Sequence, residues 1–348
     1  MTAMTATQPP KPKVRRKRRR RTADQATLMN PSGASMQSRI VLELCRRVVR
    51  PVVRIAPVTA AGVRAAFLID VLAGLRRIPG GIACDHVQLP DLRLEVVRQV
   101  DRMSHHSDGV VLYFHGGGFI TCGTNTHRPV VAELSRRAAM PVVNVGYRQL
   151  PKTKISGSVE DCLTAYRWLL EQGADPTKIV FAGDSAGGFL VFATALKAIE
   201  EGLPAPAGLI GISPLLDLDC TEKFAHDNAK LDAFVAMPGL AAVCRLGAEV
   251  DGAIDPLLSP VNGALAELPP TLLVSAEDEV LRCDAELMAN RLWDAGVSAE
   301  LQLWRGQVHA FPAVAPQLPE SRAVLADITR FVRARTSAPS GEGRGRIA

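Results

Sequence analysis

With 348 residues, of which 47% are apolar, the chain is long enough to bury the core of one large domain or of two average ones. Its seven cysteines are scattered, with no Cys-x-x-Cys pair and an odd total. This argues against a disulfide framework and a zinc site, and it favours a reducing compartment. The net charge of +6 comes from one segment, because residues 11–21 hold nine of the 41 basic residues and no acid, against 32 basic and 35 acidic residues elsewhere.

The N-terminal segment, residues 1–38, is predicted to be a disordered basic tail, because a dense run of like charges repels itself. It does not resemble a secretory signal, since residues 22–38 are polar and form no apolar h-region. A solvated tail is one interpretation, and weak contact of Lys11 to Arg21 with an anionic membrane is the other. No specific nucleic-acid partner is expected. Residues 337–348, rich in Ser, Gly and Arg, are predicted to be a second disordered tail.

Residues 39–78 alternate apolar side chains with arginines and are interrupted by Pro51 and Pro57, which predicts amphipathic helices. A cap packed over the core domain is their default role, and a helix lying on a lipid surface is the alternative. No segment is both long and apolar enough to span a bilayer. We therefore expect a cytoplasmic protein, with peripheral membrane contact as the alternative location.

Residues 79–336 are predicted to form one α/β domain. Short β-rich runs alternate with helical stretches, a pattern typical of a mostly parallel sheet with helices on both faces. The predicted strands cover residues 92–97, 110–114, 141–145, 179–181, 207–212, 271–275 and 299–304. The stretch from about 217 to 262 breaks the alternation, and we expect it to fold over the site as an insertion, together with residues 39–78.

The strand at 179–181 leads into a G-x-S-x-G pattern at residues 183–187, and a long apolar stretch suited to a helix follows. Ser185 is therefore predicted to lie on a sharp strand-to-helix turn, where the flanking glycines expose its hydroxyl at the helix N-terminus. Such a nucleophile elbow favours a catalytic serine. A pentapeptide of this kind also arises by chance or as a plain glycine turn, so the context has to decide.

Upstream of the elbow, the strand at 110–114 ends in His115 and three consecutive glycines, Gly116 to Gly118. A tetrahedral intermediate needs backbone N–H groups directed at its oxyanion, and glycines let the main chain approach that atom without a Cβ in the way. Taken alone, the segment could equally be a plain glycine turn. Its pairing with a downstream elbow favours an oxyanion hole.

A serine hydroxyl is a poor nucleophile until a base accepts its proton. Of the seven histidines only His226 and His309 follow the elbow, and His309 lies in a loop after the predicted strand 299–304. In enzymes with a nucleophile elbow, the nucleophile, the acid and the histidine follow one another along the chain, and this order makes His309 the candidate base. The acid is expected in the loop after strand 271–275, where Glu277, Asp278 and Glu279 compete and spacing alone does not choose among them.

Several motifs in this order resemble the hormone-sensitive-lipase-like family of α/β-hydrolases, the bacterial carboxylesterase and lipase branch. The resemblance runs from about residue 90 to 334. The residues that carry it form the glycine loop, a tyrosine motif, the elbow, a Ser-Pro pair, a proline-rich motif and the histidine loop, at positions 115–118, 147–151, 183–188, 213–214, 255–260 and around 309. It implies an α/β-hydrolase fold with a helical cap.

Carried over position by position, the resemblance implies Ser185 as nucleophile and His309 as base. It implies an oxyanion hole built from the backbone amides of Gly117, Gly118 and Ala186. His115 would brace the glycine loop and Asp184 would support the elbow. The family acid usually stands in Asp-Pro-Leu-Arg, and a gapless alignment with residues 279–282 places Glu279 at that position, with Asp278 as the alternative.

The function that follows is a serine carboxylester hydrolase that works through an acyl-enzyme, without metal or cofactor. Its substrate is expected to be a small-molecule ester or a lipid with a short to medium acyl chain, which the family resemblance favours. Two alternatives use the same fold: an amidase or peptidase, and a non-catalytic ligand receptor. The oligomeric state stays open, and a dimer is one possibility.

Overall fold

The computed structural model describes residues 25–55, 59–101 and 108–337. Its centre is a nine-stranded sheet with the order β1-β11-β10-β7-β6-β4-β5-β3-β2. All neighbouring strands are parallel except the pairs β2/β3 and β3/β5. The strands are β1 (Thr27–Met29), β2 (Ile82–Gln88), β3 (Arg93–Gln99), β4 (Val110–Phe114), β5 (Val142–Gly146), β6 (Ile179–Asp184), β7 (Gly208–Ile212), β10 (Thr271–Ala276) and β11 (Ala299–Trp304), while β8 (Glu249–Val250) and β9 (Ala253–Ile254) form a separate small hairpin.

Helices cover both faces of the sheet, and the predicted α/β fold with a mostly parallel sheet is confirmed. Helices α5, α6 and α10 pack on one face, and α4 and α12 pack on the other. The helices are α1 (Met36–Leu44), α2 (Arg50–Ile55), α3 (Ala60–Ala73), α4 (Thr124–Ala138), α5 (Ile155–Glu171), α6 (Ala186–Glu200), α7 (Thr221–Ala225), α8 (Asn228–Leu231), α9 (Met237–Ala248), α10 (Arg282–Asp294), α11 (Phe311–Val314) and α12 (Pro319–Thr336), with a π-helical turn at Cys45–Val49 and short 3-10 turns at Pro176–Lys178, Pro256–Leu258, Pro260–Asn262 and Leu265–Glu267.

The first described residues lie at the edge of this sheet, so the prediction of disorder is wrong for residues 25–38. Strand β1 pairs in parallel with β11. The carboxylate of Glu320 then accepts hydrogen bonds from the hydroxyls of Ser35 and Ser38 at 2.9 and 2.7 Å. A three-residue strand has no periodicity that sequence analysis could detect, and its partner strand is far away in the chain, with Thr27 opposite Gln302. Residues 1–24 and 338–348, predicted to be tails, lie outside the described residues.

Helix α3 is fixed to the core next to the glycine loop. The carboxylate of Asp70, which is buried, accepts hydrogen bonds from the backbone N–H and the hydroxyl of Thr126 at 2.8 and 2.9 Å, and from the side-chain amide of Asn125 at 3.0 Å. The hydroxyl of Thr121 donates to the carbonyl of Ala66 at 2.8 Å. These bonds hold α3 against residues 121–126, directly after the predicted oxyanion loop.

The two predicted cap segments meet. Helix α2 packs on helix α9 of the insertion, and the guanidinium of Arg50 lies 3.4 Å from the carbonyl oxygen of Ala229. The insertion contains three helices, α7 to α9, and the hairpin β8–β9. Across the described ranges, no helix combines the length and the apolar character needed to cross a membrane.

Candidate active site

Ser185 occupies a strained turn between β6 and α6. Its φ of +54° lies in the left-handed region that side chains rarely adopt, and the backbone is held there because its N–H donates to the carbonyl of Ile212 at 2.9 Å. Gly187 makes the turn possible, since a Cβ at that position would lie 1.9 Å from the carbonyl oxygen of Phe114. The first turn of α6 therefore presses against the end of β4, as the nucleophile-elbow prediction requires.

The glycine loop follows β4 at this point of contact. Gly117 and Gly118 both have positive φ, of 115° and 60°. A Cβ on Gly117 would lie 2.0 Å from the carbonyl oxygen of Thr121, so the loop closes only with glycine there. The backbone of Ala186 begins α6 beside this loop. The three amides assigned to the oxyanion hole therefore come from two backbone segments that adjoin each other.

Asp184 joins the elbow to the glycine loop. Its carboxylate accepts hydrogen bonds from the hydroxyl of Tyr113 at 2.8 Å and from the backbone N–H of Gly116 at 3.1 Å, and it lies 3.3 Å from Nε2 of His127. Burial opposes a charge on either partner of the pair. The mutual attraction outweighs it, so the pKa of His127 is raised and that of Asp184 is lowered. The surroundings therefore favour the charged form of this buried pair behind the loop.

Sequence analysis did not find His127. It lies in the first turn of α4, with Nδ1 within 3.3 Å of the carbonyl oxygen of Gly123. No local motif distinguishes this position from that of an ordinary core histidine. Its partner Asp184 is 57 residues away, so only the folded chain shows the pair.

His115 is fully buried beneath the glycine loop. Its Nδ1 lies 2.7 Å from the carbonyl oxygen of Gly116, and its ring stacks on Tyr147 with 4.3 Å between ring centres. The hydroxyl of Tyr147 donates to the backbone carbonyl of His115 at 2.7 Å. Burial, together with the charge of His127, lowers the pKa of His115 to about 4, so the ring is neutral and donates from Nδ1. These contacts support the bracing role assigned to it.

His309 lies against Glu279. Oxygen Oε2 of Glu279 is 2.6 Å from Nδ1 of His309, and both side chains are buried. The other oxygen of Glu279 accepts from the backbone N–H of Ala276 at 2.8 Å and from the hydroxyl of Ser275 at 2.5 Å. Asp278 is half-buried on the same loop. Of the two candidate acids, Glu279 is the one that contacts the imidazole.

A short loop after β7 links the histidine to the elbow. The hydroxyl of Ser213 accepts a hydrogen bond from the backbone N–H of Ala310 at 2.9 Å. Two residues further on, the backbone N–H of Leu215 donates to the carbonyl of Ser185 at 3.1 Å. The loop that carries His309 and the turn that carries Ser185 are thus attached to the same segment, residues 213–215.

The cap insertion also holds the acid loop, which sequence analysis did not predict. The buried carboxylate of Asp232 accepts from the backbone N–H groups of Phe234 and Val280 at 2.7 and 2.8 Å. The side-chain amide of Asn228 donates to the carbonyl of Glu279 at 2.9 Å. The ring of Phe234 lies 5.7 Å from that of His309. The insertion thereby fixes the backbone on which the acid is carried.

The surroundings of His309 determine its protonation. Burial acts to lower its pKa, but the hydrogen bond and negative charge of Glu279 outweigh that effect and raise the pKa above the ordinary value of 6.5. With Nδ1 engaged by Glu279, Nε2 is the nitrogen that can accept a proton. Among the described residues, no group of three or more His, Cys, Asp or Glu side chains is arranged to hold a metal ion.

Known proteins are similar to this chain. A family model described as the alpha/beta hydrolase fold matches residues 111–313. The curated esterase LipU of Mycobacterium tuberculosis is 42% identical over 259 residues, which cover 72% of this chain and 86% of that protein. The carboxylesterase/phospholipase LipF of the same organism is 36% identical over 315 residues, covering 88% of this chain and 84% of that protein.

Solved structures agree. An esterase/lipase from an uncultured bacterium has a TM-score of 0.77 at 30% identity, covering 88% of this chain and 100% of its own. An esterase from the bacterial hormone-sensitive lipase family has a TM-score of 0.76 at 31% identity, covering 85% of this chain and 98% of its own. The chain belongs to the α/β-hydrolase family, in its hormone-sensitive-lipase-like branch. Serine ester hydrolysis is the activity that this fold and these relatives support, and the predicted enzyme class is confirmed.

The contact between Glu279 and His309 predicts which carboxylate matters. Glu279→Gln keeps the size of the side chain but removes the charge that fixes the tautomer and stabilises the imidazolium, so we expect kcat to fall by up to about 10⁴-fold. Asp278→Asn, the matched control on the same loop, is expected to change kcat little. Steady-state hydrolysis of a chromogenic ester measures both. A crippled Asp278→Asn enzyme beside an active Glu279→Gln enzyme would reverse the assignment.

The raised pKa of His309 predicts a pH dependence. Because only the neutral imidazole accepts the serine proton, kcat/KM should rise with pH as His309 loses its proton, and the midpoint of that rise should lie above the ordinary 6.5. Without the Glu279 carboxylate, burial of the ring is opposed only by the charges of Asp232 and Asp184. Glu279→Gln should therefore move the imidazole titration to lower pH, which NMR can follow in a Ser185→Ala background. An unchanged titration would show that Glu279 does not control the charge of His309.

Proposed function

We propose that this protein hydrolyses carboxylic esters with short to medium acyl chains, with Ser185 as nucleophile, His309 as general base and Glu279 as the acid that orients it. The observation that carries the proposal is the 2.6 Å contact between Glu279 and His309. The loop that carries His309 is attached, through residues 213–215, to the strained turn of Ser185. A nucleophile, a base and an orienting acid on connected loops form the unit that acyl transfer needs.

In the first half of the reaction the hydroxyl oxygen of Ser185 attacks the ester carbonyl, and its proton passes to Nε2 of His309. The tetrahedral intermediate collapses as the imidazolium returns that proton to the leaving alcohol, which breaks the ester bond and leaves an acyl-serine. Water then attacks the acyl-serine, with His309 again taking and returning one proton. Glu279 keeps its charge throughout and stabilises the imidazolium.

The backbone amides of Gly117, Gly118 and Ala186 are proposed to hold the oxyanion. The strained glycine turn and the start of α6 supply these donors without side chains in between. The positive end of the α6 dipole adds to the attraction for negative charge. The buried pair of Asp184 and His127 fixes the loop through Gly116, so the donors are held in place before substrate arrives.

The acyl chain is proposed to lie beneath the cap. Helix α3 lies against residues 121–126, beside the glycine loop, and α2 packs on α9 of the insertion. Only 5% of the chain is aromatic, so the apolar cap is mainly aliphatic. The word phospholipase in the name of the relative LipF supports lipid esters among the substrates, beside small-molecule esters.

Contact of Lys11 to Arg21 with an anionic membrane stays a prediction from the sequence, because these residues lie outside the described ranges. A cytoplasmic location, with part of the molecules peripheral at the membrane, also stays a prediction from the sequence, and so does a dimer. The nine basic residues of this run have the charge that an anionic lipid surface attracts.

A fluorophosphonate should label Ser185 alone and in a ratio of one per chain, since only a base-activated serine next to an oxyanion hole reacts quickly. Ser185→Ala should abolish both labelling and ester hydrolysis, whereas Ser298→Ala, an exposed serine elsewhere, should keep both. Mass spectrometry of the labelled peptide identifies the site. Labelling that persists in the Ser185→Ala protein would remove the elbow from the mechanism.

The hydrogen bonds of Asp70 test whether α3 covers the acyl chain. Asp70→Ala removes three bonds that fix this helix and should raise KM severalfold for a hexanoate ester while changing KM less for an acetate ester. Asp85→Ala, an exposed acid on β2, is the control and should change neither. Equal effects of Asp70→Ala on the two esters would exclude α3 from binding of the acyl chain.

A further inference from the structure

The N-terminal rod, residues 36–55, has an apolar side that does not pack on the protein. Helix α1, the π-helical turn and α2 follow one another without a break in helical backbone, which makes a rod about 30 Å long. One side of it packs on the core through Val41, Leu42, Cys45 and Val49. Another row of apolar side chains, spaced by three or four residues, is between 52% and 80% exposed. It consists of Met36, Ile40, Leu44, Val48, Val52 and Ile55.

Helix α3 also has apolar side chains that do not pack on the protein. Its contacts with the core are made by a narrow strip that includes Val63, Asp70 and Ala73, which are buried. Aliphatic and aromatic side chains around that strip, and in the turn after it, are exposed: Phe67, Leu68, Ile69, Val71, Leu72, Leu75 and Ile78. Exposed apolar side chains in such numbers mark an interaction site. We call the exposed apolar side chains of the rod and of α3 the apolar face.

The charge around the apolar face differs from that of the rest of the molecule. Residues 1–78 contain 17 basic and three acidic side chains, whereas residues 79–348 contain 24 basic and 32 acidic ones. The exposed arginines among the described part of this segment are Arg39, Arg46, Arg47, Arg54, Arg76 and Arg77. Glu43 is the one acid in the sequence of the rod, and it pairs with Arg46 and Arg47. Apolar side chains bordered by arginines are the pattern of helices that lie in a lipid interface.

We propose that the apolar face docks on an anionic lipid surface, with its aliphatic side chains in the acyl boundary and its arginines at the phosphate level. Charge complementarity selects this partner. A symmetric contact with a second copy would place one arginine-rich face against another, which like-charge repulsion opposes. The proposal goes beyond ester hydrolysis and does not depend on it, because docking needs none of the catalytic groups.

The position of α3 gives the docking a consequence for substrate access. The carbonyl of Ala66 accepts from Thr121, and Asp70 binds Thr126, so the helix that carries part of the apolar face lies against the segment that follows Gly117 and Gly118. A lipid surface bound there would lie close to the cap. Esters dissolved in that surface would then reach the site without crossing bulk water.

Vesicle flotation with the full-length Ser185→Ala protein tests the proposal without hydrolysis. We expect binding to phosphatidylcholine vesicles that contain phosphatidylglycerol, and weaker binding to phosphatidylcholine alone. The neutral double changes Leu68→Gln with Leu72→Gln, and Leu44→Gln with Val48→Gln, leave the charge as it is. Each should weaken binding by at least about fivefold, because buried apolar area contributes to interfacial affinity. The matched control is Val250→Gln with Leu257→Gln, at residues of the insertion that are 65% and 74% exposed and lie outside the apolar face.

Deletion of residues 1–22 distinguishes the contribution of the basic tail to vesicle binding from that of the apolar face. It should reduce binding at low salt only, because charge attraction is screened and apolar contact is not. Circular dichroism melting shows that each variant is folded. Vesicle binding that is absent, or equal in the apolar-face variants and the control, overturns the proposal. So does a dimer in sedimentation velocity that Leu68→Gln with Leu72→Gln dissociates, since the face would then belong to a second copy.

Discussion

Close approach between the end of β4 and the first turn of α6 is the constraint on which the site depends. The carbonyl of Phe114 occupies the space that a Cβ on residue 187 would need, so only glycine lets the two segments touch. That contact places the glycine loop beside the start of α6. It also brings Asp184 within reach of Tyr113 and Gly116, and the buried ion pair with His127 forms around it. The absence of a Cβ on residue 187 thus determines where both the proposed nucleophile and the backbone N–H donors beside it lie.

Ser185 keeps its strained backbone conformation because hydrogen bonds from neighbouring segments hold it there. The residue is held by Ile212 through its N–H and by Leu215 through its carbonyl, both in or after β7. The same loop receives Ala310 through Ser213. Backbone geometry at the nucleophile and the position of the base are therefore set by one segment of chain.

Sequence patterns predicted the parts of the site whose chemistry requires a particular residue type at a short spacing. Ser185, Gly117 and Gly118 lie in such patterns, because a tight turn admits only glycine and a nucleophile elbow needs its serine at one position. Glu279 was separable from Asp278 only by alignment with a family motif, since neighbouring carboxylates have the same chemistry in a sequence. The helical and strand segments around the site followed from apolar periodicity in the same local way.

Features that depend on distant partners could not be predicted. His127 has no neighbour in sequence that identifies it, and its role comes from a carboxylate on another strand. Strand β1 is too short for a periodic signal and is stabilised by pairing with β11 and by Glu320. Asp232 resembles any loop aspartate until the insertion folds onto Val280. In each case the physical cause is a contact between segments far apart in the chain.

The hydrogen bonds between the insertion and the loop of Glu279 affect how such enzymes can be re-engineered. Asn228 and Asp232 hold the backbone of Glu279 and Val280, so the segment predicted to cover the site also supports the proposed catalytic acid. A chimera that exchanges the insertion for that of another esterase would lose this support unless the grafted segment carries an equivalent amide and carboxylate. If the insertion sets specificity and Glu279 is the acid, as proposed, a change of one would alter the other, and recombination between relatives would have to preserve both.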